Sequence, residues 1–285
     1  MEVKIREAAE DDASACGRIC YEAFRAIAEE HNFPPDFPDP ETAVTVLTMV
    51  LRDGGFYAVA AEMEGRIVGS NFLDERNPIS GVGPITVDPG AQNHGVGRHL
   101  MLAVMERSKR RGFAGIRLVQ AGYHCRSLTL YSKLGFEVRE HLSCMQGPAI
   151  SETFAGYAVR RAAEADLEAC NRLCLRVHGH HRGGELRDAV RRDRATVVER
   201  AGRITGYATQ IAFFAHAVAE TNDDLKALIA AAPSFDGPGF LVPSRNGELL
   251  RWCLRKGLRV IQPMTLMTGG LYNEPAGAYL PSVLY

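Results

Sequence analysis

The sequence predicts an α/β fold with an α+β mixed sheet, present as two tandem copies. Two observations predict this class. A pattern near the N-terminus recurs in the second half of the chain, and each half mixes hairpin-joined strands with a helix that lies between strands. The order strand, helix or helices, three strands, helix, strand, helix, two strands then favours a mixed sheet with helices on its faces.

The first pair of repeated segments lies at the start of each half. Residues 5–20 read IREAAEDDASACGRIC and residues 159–174 read VRRAAEADLEACNRLC, with 9 of 16 positions identical and no gap. Each segment reads as a short strand, a polar turn and an amphipathic helix. Asp12 and Asp166 fall at the matching helix starts, where a carboxylate favours exposed amides.

Two further segment pairs keep the same order. MEGRIVGSNF (63–72) matches RAGRITGYAT (200–209), and TLYSKLGFEV (129–138) matches RWCLRKGLRV (251–260). The offset falls from 154 to 137 to 122, so the second copy has shorter loops. Such a long period indicates one duplicated domain and not a solenoid. We therefore predict a first copy at residues 1–147, a linker at 148–155 and a second copy at 156–285.

Composition and charge exclude several classes of protein. The chain has 285 residues, 46% apolar and 24% charged, which is typical of a soluble globular protein. The net charge of -1 argues against a nucleic-acid partner bound through a global basic field. No apolar run is long enough for a membrane span, and the charged start lacks a secretory pattern. Seven scattered cysteines form no disulfide framework, so we expect reduced thiols and a cytoplasmic protein.

A glycine-bearing loop separates a strand from a helix in the first copy. The strand ends at Pro89, the loop runs through Gly90–Gly97, and residues 98–107 read as an amphipathic helix. Amides at a helix start can bind phosphate, and glycines let the backbone approach it closely. The alternative is an ordinary loop, because the pattern has neither the GK[ST] of a Walker loop nor the third glycine of a dinucleotide fingerprint.

Residues 87–97 fit the pattern V-x-P-x-x-Q-x-x-G-x-G, and HCRSLTLYSKLGF follows at 124–136. Together these motifs resemble those of the GNAT N-acetyltransferases. The resemblance covers residues 3–145 and reaches the second half only through the internal repeat. It implies two tandem GNAT-like acyl-CoA N-acyltransferase domains, the second one degenerate. One departure is His124, where the family usually has Asn seven positions before the tyrosine.

The resemblance implies acetyl-CoA as cosubstrate and no metal. The pantetheine arm would enter between the strand of Thr86 and Val87 and the next strand, with the Val87 amide polarising the thioester carbonyl. Loop amides would hold the pyrophosphate. The implied cofactor-binding residues are Thr86, Val87, Gln92, Asn93, His94, Gly95, Val96, Gly97, Arg98 and His124.

The implied reaction is direct attack of a primary amine, with Tyr131 as the general acid for the leaving thiolate. The alternative for Tyr131 is an ordinary helix tyrosine with its tip in water. Residues 80–86 contain no acid, so a general base must come from elsewhere or from solvent. The candidates are Glu29, Glu30, His31, Asp74, Glu75 and His124.

The acceptor is expected beside residues 30–41, a rigid, acidic segment with four prolines. We predict that Glu30, His31, Phe33 and Phe37 bind a small-molecule or peptide amine, the acids attracting it and the rings walling the pocket. A surface loop pinned by its two phenylalanines is the alternative.

The second copy lacks the chemistry of the first. Its corresponding loop has no Q-x-x-G-x-G, three acids there (Glu220, Asp223 and Asp224) would repel a pyrophosphate, and Cys253 stands at the position of Tyr131. We expect it to be structural or to complete the acceptor site, with the apolar tail at 271–285 packed between the halves.

Three questions stay open at this level. Residues 178–181, HGHH, fit a polar loop better than a metal site. A non-catalytic CoA-responsive or small-molecule-binding protein, or an enzyme with another acyl donor, would share every motif. An oligomer is possible.

Overall fold

The computed structural model describes residues 2–284, so Met1 and Tyr285, the two ends of the predicted copies, lie outside it. The strands are β1 (Lys4–Glu7), β2 (Phe56–Met63), β3 (Arg66–Asp74), β4 (Ile79–Val82), β5 (Thr86–Val87), β6 (Gly115–Ala121), β7 (Glu137–Gln146), β8 (Tyr157–Arg161), β9 (Thr196–Arg200), β10 (Arg203–Ala208), β11 (Ala217–Ala219), β12 (Phe240–Pro243), β13 (Arg259–Gly270) and β14 (Ala278–Leu280). The helices are α1 (Ala13–Glu30), α2 (Pro40–Arg52), α3 (Val96–Arg111), α4 (Cys125–Lys133), α5 (Leu167–His178), α6 (Gly183–Arg191), α7 (Asn222–Ala230) and α8 (Gly247–Arg255).

The strands form two sheets. The larger has the order β1-β2-β3-β4-β6-β13-β7-β12, and β5 pairs with β3 beside β4. Its β4–β6 pair is parallel while the pairs on either side are antiparallel, which confirms the predicted mixed sheet. The smaller sheet has the order β14-β11-β10-β9-β8.

The duplication is visible in matching ion pairs. Arg6 contacts Asp12 at 2.6 Å, and Arg160 contacts Asp166 at the same distance. The Asp12 carboxylate accepts the amide of Ala9, just before α1, and it caps the short turn that leads into this helix. The two copies therefore share one local solution for joining the first strand to the first helix.

Strands of the two copies alternate in the larger sheet. β13 of the second copy lies between β6 and β7 of the first, and β12 extends the sheet beyond β7. Residues 148–154 contain no helix or strand. The predicted boundary at 148–155 stays a prediction, since the segments on its two sides build one sheet.

The tail after β13 contacts both sheets: it adds β14 to the smaller sheet and reaches β4 of the larger one. β14 pairs with β11 in the position that β6 holds beside β4 in the first copy. The amide of Val283 donates to the carbonyl of Phe213 at 2.9 Å. The carbonyl oxygen of Leu284 lies 2.0 Å from the point where a Cβ on Gly81 would be. The apolar tail thus packs between the halves as far as residue 284.

All seven cysteines are free thiols, and only Cys125 among them is exposed. Within residues 2–284, no helix combines the length and apolar character required to cross a membrane.

Candidate active site

A cleft opens where two strands of the first copy separate. β4 pairs with β6 from Ile79 to Val82, and the chain then leaves this neighbour so that β5 pairs with β3. The amide of Asp88 donates to the carbonyl of Val68 in β3 at 2.9 Å. Because successive strand amides point to opposite sides, the Val87 amide points away from β3, into the cleft. This is the orientation that a thioester carbonyl in the cleft requires.

A cavity of about 390 Å³ fills the cleft, and both copies line it. The first copy supplies the separated strands, the glycine loop, α4 and part of α1. The side chains from the second copy and its tail are Phe213, Phe214, Pro238, Met264, Val283 and Leu284. The second copy therefore contributes to the wall of this cavity, and its predicted role in completing the acceptor site stays a prediction.

The glycine loop is held in a shape that exposes amides. Asn93 has φ +67°, and Gly95 precedes α3 with φ +80°. The Gln92 side chain donates to the carbonyl of Val87 at 3.3 Å and accepts from Arg126, so it ties the loop to β5 and α4. The first amides of α3 have no acceptor within the helix and are available to an anion.

The loop residues contribute unequally to the cavity. Gln92, Asn93 and Gly95–Arg98 line it, whereas His94 is exposed and lies outside the lining. The prediction for His94 concerns its backbone amide in the loop, and it stays a prediction.

Three polar atoms in the cavity wall are buried without a hydrogen-bond partner among residues 2–284. They are Thr86 Oγ1, Gln120 Nε2 and His124 Nε2. An unsatisfied buried polar group costs about 1–3 kcal/mol. Such unpartnered groups beside a cavity are candidates for contact with a polar ligand.

Tyr131 lies in the wall of this cavity on α4. It is 6% exposed, and burial raises the pKa of its phenol above the ordinary value. Its hydroxyl has no hydrogen-bond partner in the part of the chain that the structure describes. The side chain is therefore mostly buried and its phenol keeps its proton at neutral pH, while its role as the general acid stays a prediction.

His124 is neutral at physiological pH. Burial, followed by the positive charge of Arg126, lowers the pKa of its imidazole to about 4. A neutral ring with an unpartnered Nε2 can donate or accept a hydrogen bond in the cleft, according to its tautomer. As a base it is weak.

The predicted acceptor residues separate into two groups. Glu30 and Phe37 line the cavity, and Phe37 is buried against Phe24 with ring centroids 6.3 Å apart. Phe33 and His31 lie behind the wall and pack on Tyr123, at centroid distances of 4.2 and 5.3 Å. Tyr123 itself lines the cavity.

Three other candidates for the general base lie outside the cavity lining. Glu29 faces Arg25 on the exposed side of α1 at 3.9 Å. Asp74 pairs with Arg76 at 2.6 Å, and Glu75 pairs with Arg107 at 2.7 Å. Each of these acids is held in an ion pair with an arginine of the first copy.

Sequence analysis missed the pair Asp36 and Gln262. Asp36 lines the cavity, and its carboxylate accepts a 2.9 Å hydrogen bond from Gln262 Nε2 on β13. Gln262 Oε1 accepts from the hydroxyl of Tyr123 at 3.2 Å. Burial raises the pKa of Asp36 above its ordinary value. The acidic segment at 30–41 pointed to Asp36, but no motif pointed to a partner 226 positions away.

The corresponding region of the second copy is closed. The amide of Asp224 donates to Thr221 Oγ1 at 3.3 Å, and the Thr221 amide donates to Asp224 at 3.1 Å, so this helix start is capped internally. β14 pairs along β11, and Cys253 is fully buried.

No group of three or more His, Cys, Asp or Glu within the described range 2–284 is placed to hold a metal ion. His178 and His180 of the HGHH segment are buried, with ring centroids 5.8 Å apart. His178 also packs edge-on against Tyr279 at 5.1 Å.

Comparisons with known proteins agree with this geometry. The model of the acetyltransferase (GNAT) family matches residues 21–136. A stretch of 87 residues is 32% identical to the mycothiol acetyltransferase of Nocardia farcinica and covers 29% of each protein. The matched stretch thus spans about three tenths of the length of such curated relatives, with shares from 29% to 32%.

Two solved structures share the fold along nearly the whole chain. The GCN5-related N-acetyltransferase of Sphaerobacter thermophilus has a TM-score of 0.62 and 16% identity, over 95% of this chain and 96% of that one. A tandem GNAT protein from the clavulanic acid biosynthesis pathway has a TM-score of 0.57 and 14% identity, over 99% and 100%. Residues 21–136 thus match the model of the acetyltransferase (GNAT) family, and the two copies together share the fold of a tandem GNAT protein.

Proposed function

We propose that this chain transfers an acetyl group from acetyl-CoA to a primary amine, in a single site on the first copy. The observation that carries the proposal is the cleft between β5 and β6, which has free amides at one end and the unpartnered Tyr131 hydroxyl in its wall. Amides at a helix start favour phosphate, and the parted strands offer backbone groups to a pantetheine arm.

The residues of the cleft divide the work of the reaction. The Val87 amide donates to the thioester oxygen, where negative charge grows as the amine attacks. Tyr131 donates its proton to the sulfur as the carbon–sulfur bond breaks. Because burial raises the pKa of this phenol, the acid is protonated throughout the neutral range.

The unpartnered polar atoms fit the amides and hydroxyl of the pantetheine arm. Thr86 Oγ1 and Gln120 Nε2 lie on the two strands that border the cleft. Arg98 lies at the loop, where it would contact a pyrophosphate, and Arg126 holds the loop through Gln92. The second copy contributes apolar wall and no CoA site, which the internally capped start of α7 supports.

The test is thiol release from acetyl-CoA across a panel of primary amines, with acetylated product identified by mass spectrometry. Equilibrium binding of CoA to the same protein is measured in parallel. We expect amine-dependent thiol release and one CoA per chain. CoA binding without release for any amine would favour a CoA-responsive binding protein, and absence of both would reject the proposal.

A further inference from the structure

Asp36 lies where two cavities meet. It lines the cavity of about 390 Å³ that contains Tyr131, and it also lines a second one of about 240 Å³. Gln262 lies in the wall of the second cavity and donates to the Asp36 carboxylate at 2.9 Å. Asp36 therefore borders a space beside the cleft as well as the cleft itself.

The surroundings of Asp36 contain no compensating cation. Asp36 takes part in no ion pair within residues 2–284. The titratable groups around it are Cys20 on α1, Tyr123 beyond β6 and Cys144 on β7. Burial raises the pKa of each above its ordinary value, so all three are uncharged near neutral pH.

A carboxylate withdrawn from bulk water without a cation binds a cationic or hydrogen-donating ligand. Only one other acid, Glu30, lines the larger cavity, and it is exposed at the end of α1. The lining arginines are Arg98, in the first turn of α3, and Arg126 on α4, and both are exposed. The cavity is thus basic where a pyrophosphate would bind and acidic at Asp36.

We propose that Asp36 is the general base for the acceptor amine, that Gln262 of the second copy positions it, and that the acceptor carries its amine on an apolar body. The proposal rests on the acetyl transfer proposed above. The apolar acceptor is argued from apolar side chains that line the same cavity as Asp36, namely Ala23, Phe24, Ile27, Phe37, Phe213 and Phe214.

The proton balance is complete with these groups. The amine nitrogen forms a bond to the acetyl carbon, and the carbon–sulfur electrons move to sulfur. Asp36 takes the surplus proton from nitrogen, while Tyr131 gives its own proton to sulfur. Exchange with solvent then removes the proton from Asp36 and returns one to Tyr131.

The experiment compares Asp36→Asn with the parent chain, using acetyl-CoA and 2-phenylethylamine. Asparagine keeps an oxygen that accepts from Gln262 but cannot take a proton. We expect kcat/KM to fall about 10²–10⁴-fold, the usual contribution of a general base. CoA affinity should stay within about twofold, since the side-chain hydrogen bond of Asp36 goes to Gln262 and not to the loop. Asp11→Asn, on the surface before α1, is the charge-matched control and should behave as the parent.

Two substrates sharpen the comparison. O-Benzylhydroxylamine is apolar and weakly basic, so its nitrogen loses a proton readily to water, and the Asp36→Asn defect should shrink at least tenfold with it. Ethanolamine, which has a polar body, should have a higher KM than 2-phenylethylamine in the parent chain. An equal KM for both would overturn the apolar acceptor.

Gln262→Met tests positioning through pH. The hydrogen bond from Gln262 favours the charged carboxylate, so its loss raises the pKa of Asp36 further. The acidic limb of kcat/KM should therefore move to higher pH in Gln262→Met and vanish in Asp36→Asn. Circular dichroism and CoA binding establish that both variants fold.

The outcomes separate the two proposals. If the parent chain releases no thiol with any amine, the proposed function fails. If the parent is active and Asp36→Asn keeps its rate and its acidic limb, only the assignment of Asp36 fails. If kcat/KM falls in Glu30→Gln and not in Asp36→Asn, the general base is Glu30 and the assignment of Asp36 is wrong.

Discussion

Leu142 of β7 and Met264 of β13 lie opposite each other in an antiparallel strand pair. Leu142 occupies in the first copy the position that Met264 occupies in the second copy. Their separation of 122 equals the repeat offset in this part of the chain. Exchanging the two copies therefore leaves the order β6-β13-β7-β12 unchanged apart from its direction. An approximate twofold axis passes through this residue pair.

We predict that Leu142→Ala destabilises both copies together. Leu142 is 1% exposed and packs with buried side chains of both copies, so its truncation should cost about 2–5 kcal/mol. The single tryptophan, Trp252, lies in the second copy and reports its unfolding. Urea transitions followed by tryptophan fluorescence and by circular dichroism should shift equally. Leu102→Ala, at a site 36% exposed, is the control, and separate transitions would contradict the prediction.

Gly81→Ala should release the tail from β4. A Cβ there would lie 2.0 Å from the Leu284 carbonyl oxygen, so one of the two must move. We expect a loss of about 1–3 kcal/mol in unfolding free energy and faster hydrogen exchange at the Val283 amide. Gly54→Ala meets no atom within 4 Å and serves as the control. Unchanged exchange at Val283 would show that the tail tolerates the methyl group.

Gly95→Ala should weaken CoA binding more than it weakens folding. Gly95 has φ +80° at the start of α3, and Gly112 has φ +74° at its end, so alanine is strained at both sites by about 1 kcal/mol. Only the start of the helix offers amides to the pyrophosphate. Calorimetric titration with CoA should therefore separate Gly95→Ala from Gly112→Ala, and equal affinities would argue against the loop as the phosphate site.

Tyr131→Phe should lower kcat by about 10²–10⁴-fold with little change in the KM for acetyl-CoA. The hydroxyl makes no hydrogen bond within residues 2–284, so its removal leaves no buried partner unsatisfied. Since burial raises the pKa of Tyr131 above 10.0, the parent rate should show no alkaline decline from this group up to that pH. Tyr57→Phe, outside the cavity lining, should keep the parent rate.

Lowering the pH from 7 to 5 should reduce the free energy of unfolding, because buried histidines must stay uncharged in the folded chain. Burial lowers the pKa of His124 to about 4 and that of His180 to about 3, and it also lowers the pKa of His178 and His216. The unfolded chain binds these protons near 6.5 and the folded chain does not, so stability present above pH 6.5 is lost as pH falls toward 4. Thermal denaturation at pH 7, 6 and 5 measures this, and a constant Tm would contradict it.

The sequence predicts those parts of the candidate site that are formed by contiguous residues. The loop from Gln92 to Gly97 and the helix of Tyr131 each carry a local pattern, and local patterns report strand, turn and helix. The repeat extended the same fold to the second copy. These local patterns depend on interactions between residues that are close in sequence. Examples are the positive φ of Gly95 and the burial of Tyr131 on α4.

The remainder depends on contacts between distant segments. Nothing near Gln262 indicates that it meets Asp36, and nothing near Gly81 indicates that the tail crosses it. Phe33 illustrates a smaller difference, because an aromatic residue in a loop does not reveal which surface it covers. It packs on Tyr123, and Tyr123 forms the wall.

The position of β13 also has a consequence for the evolution of the sequence. Without it, β6 and β7 would be two facing edges with their backbone groups unpaired. A gene encoding the copy with the glycine loop alone would therefore encode an incomplete sheet. Changes in β13 alter the sheet that contains the first copy, so we expect the two halves of the gene to be selected as one unit.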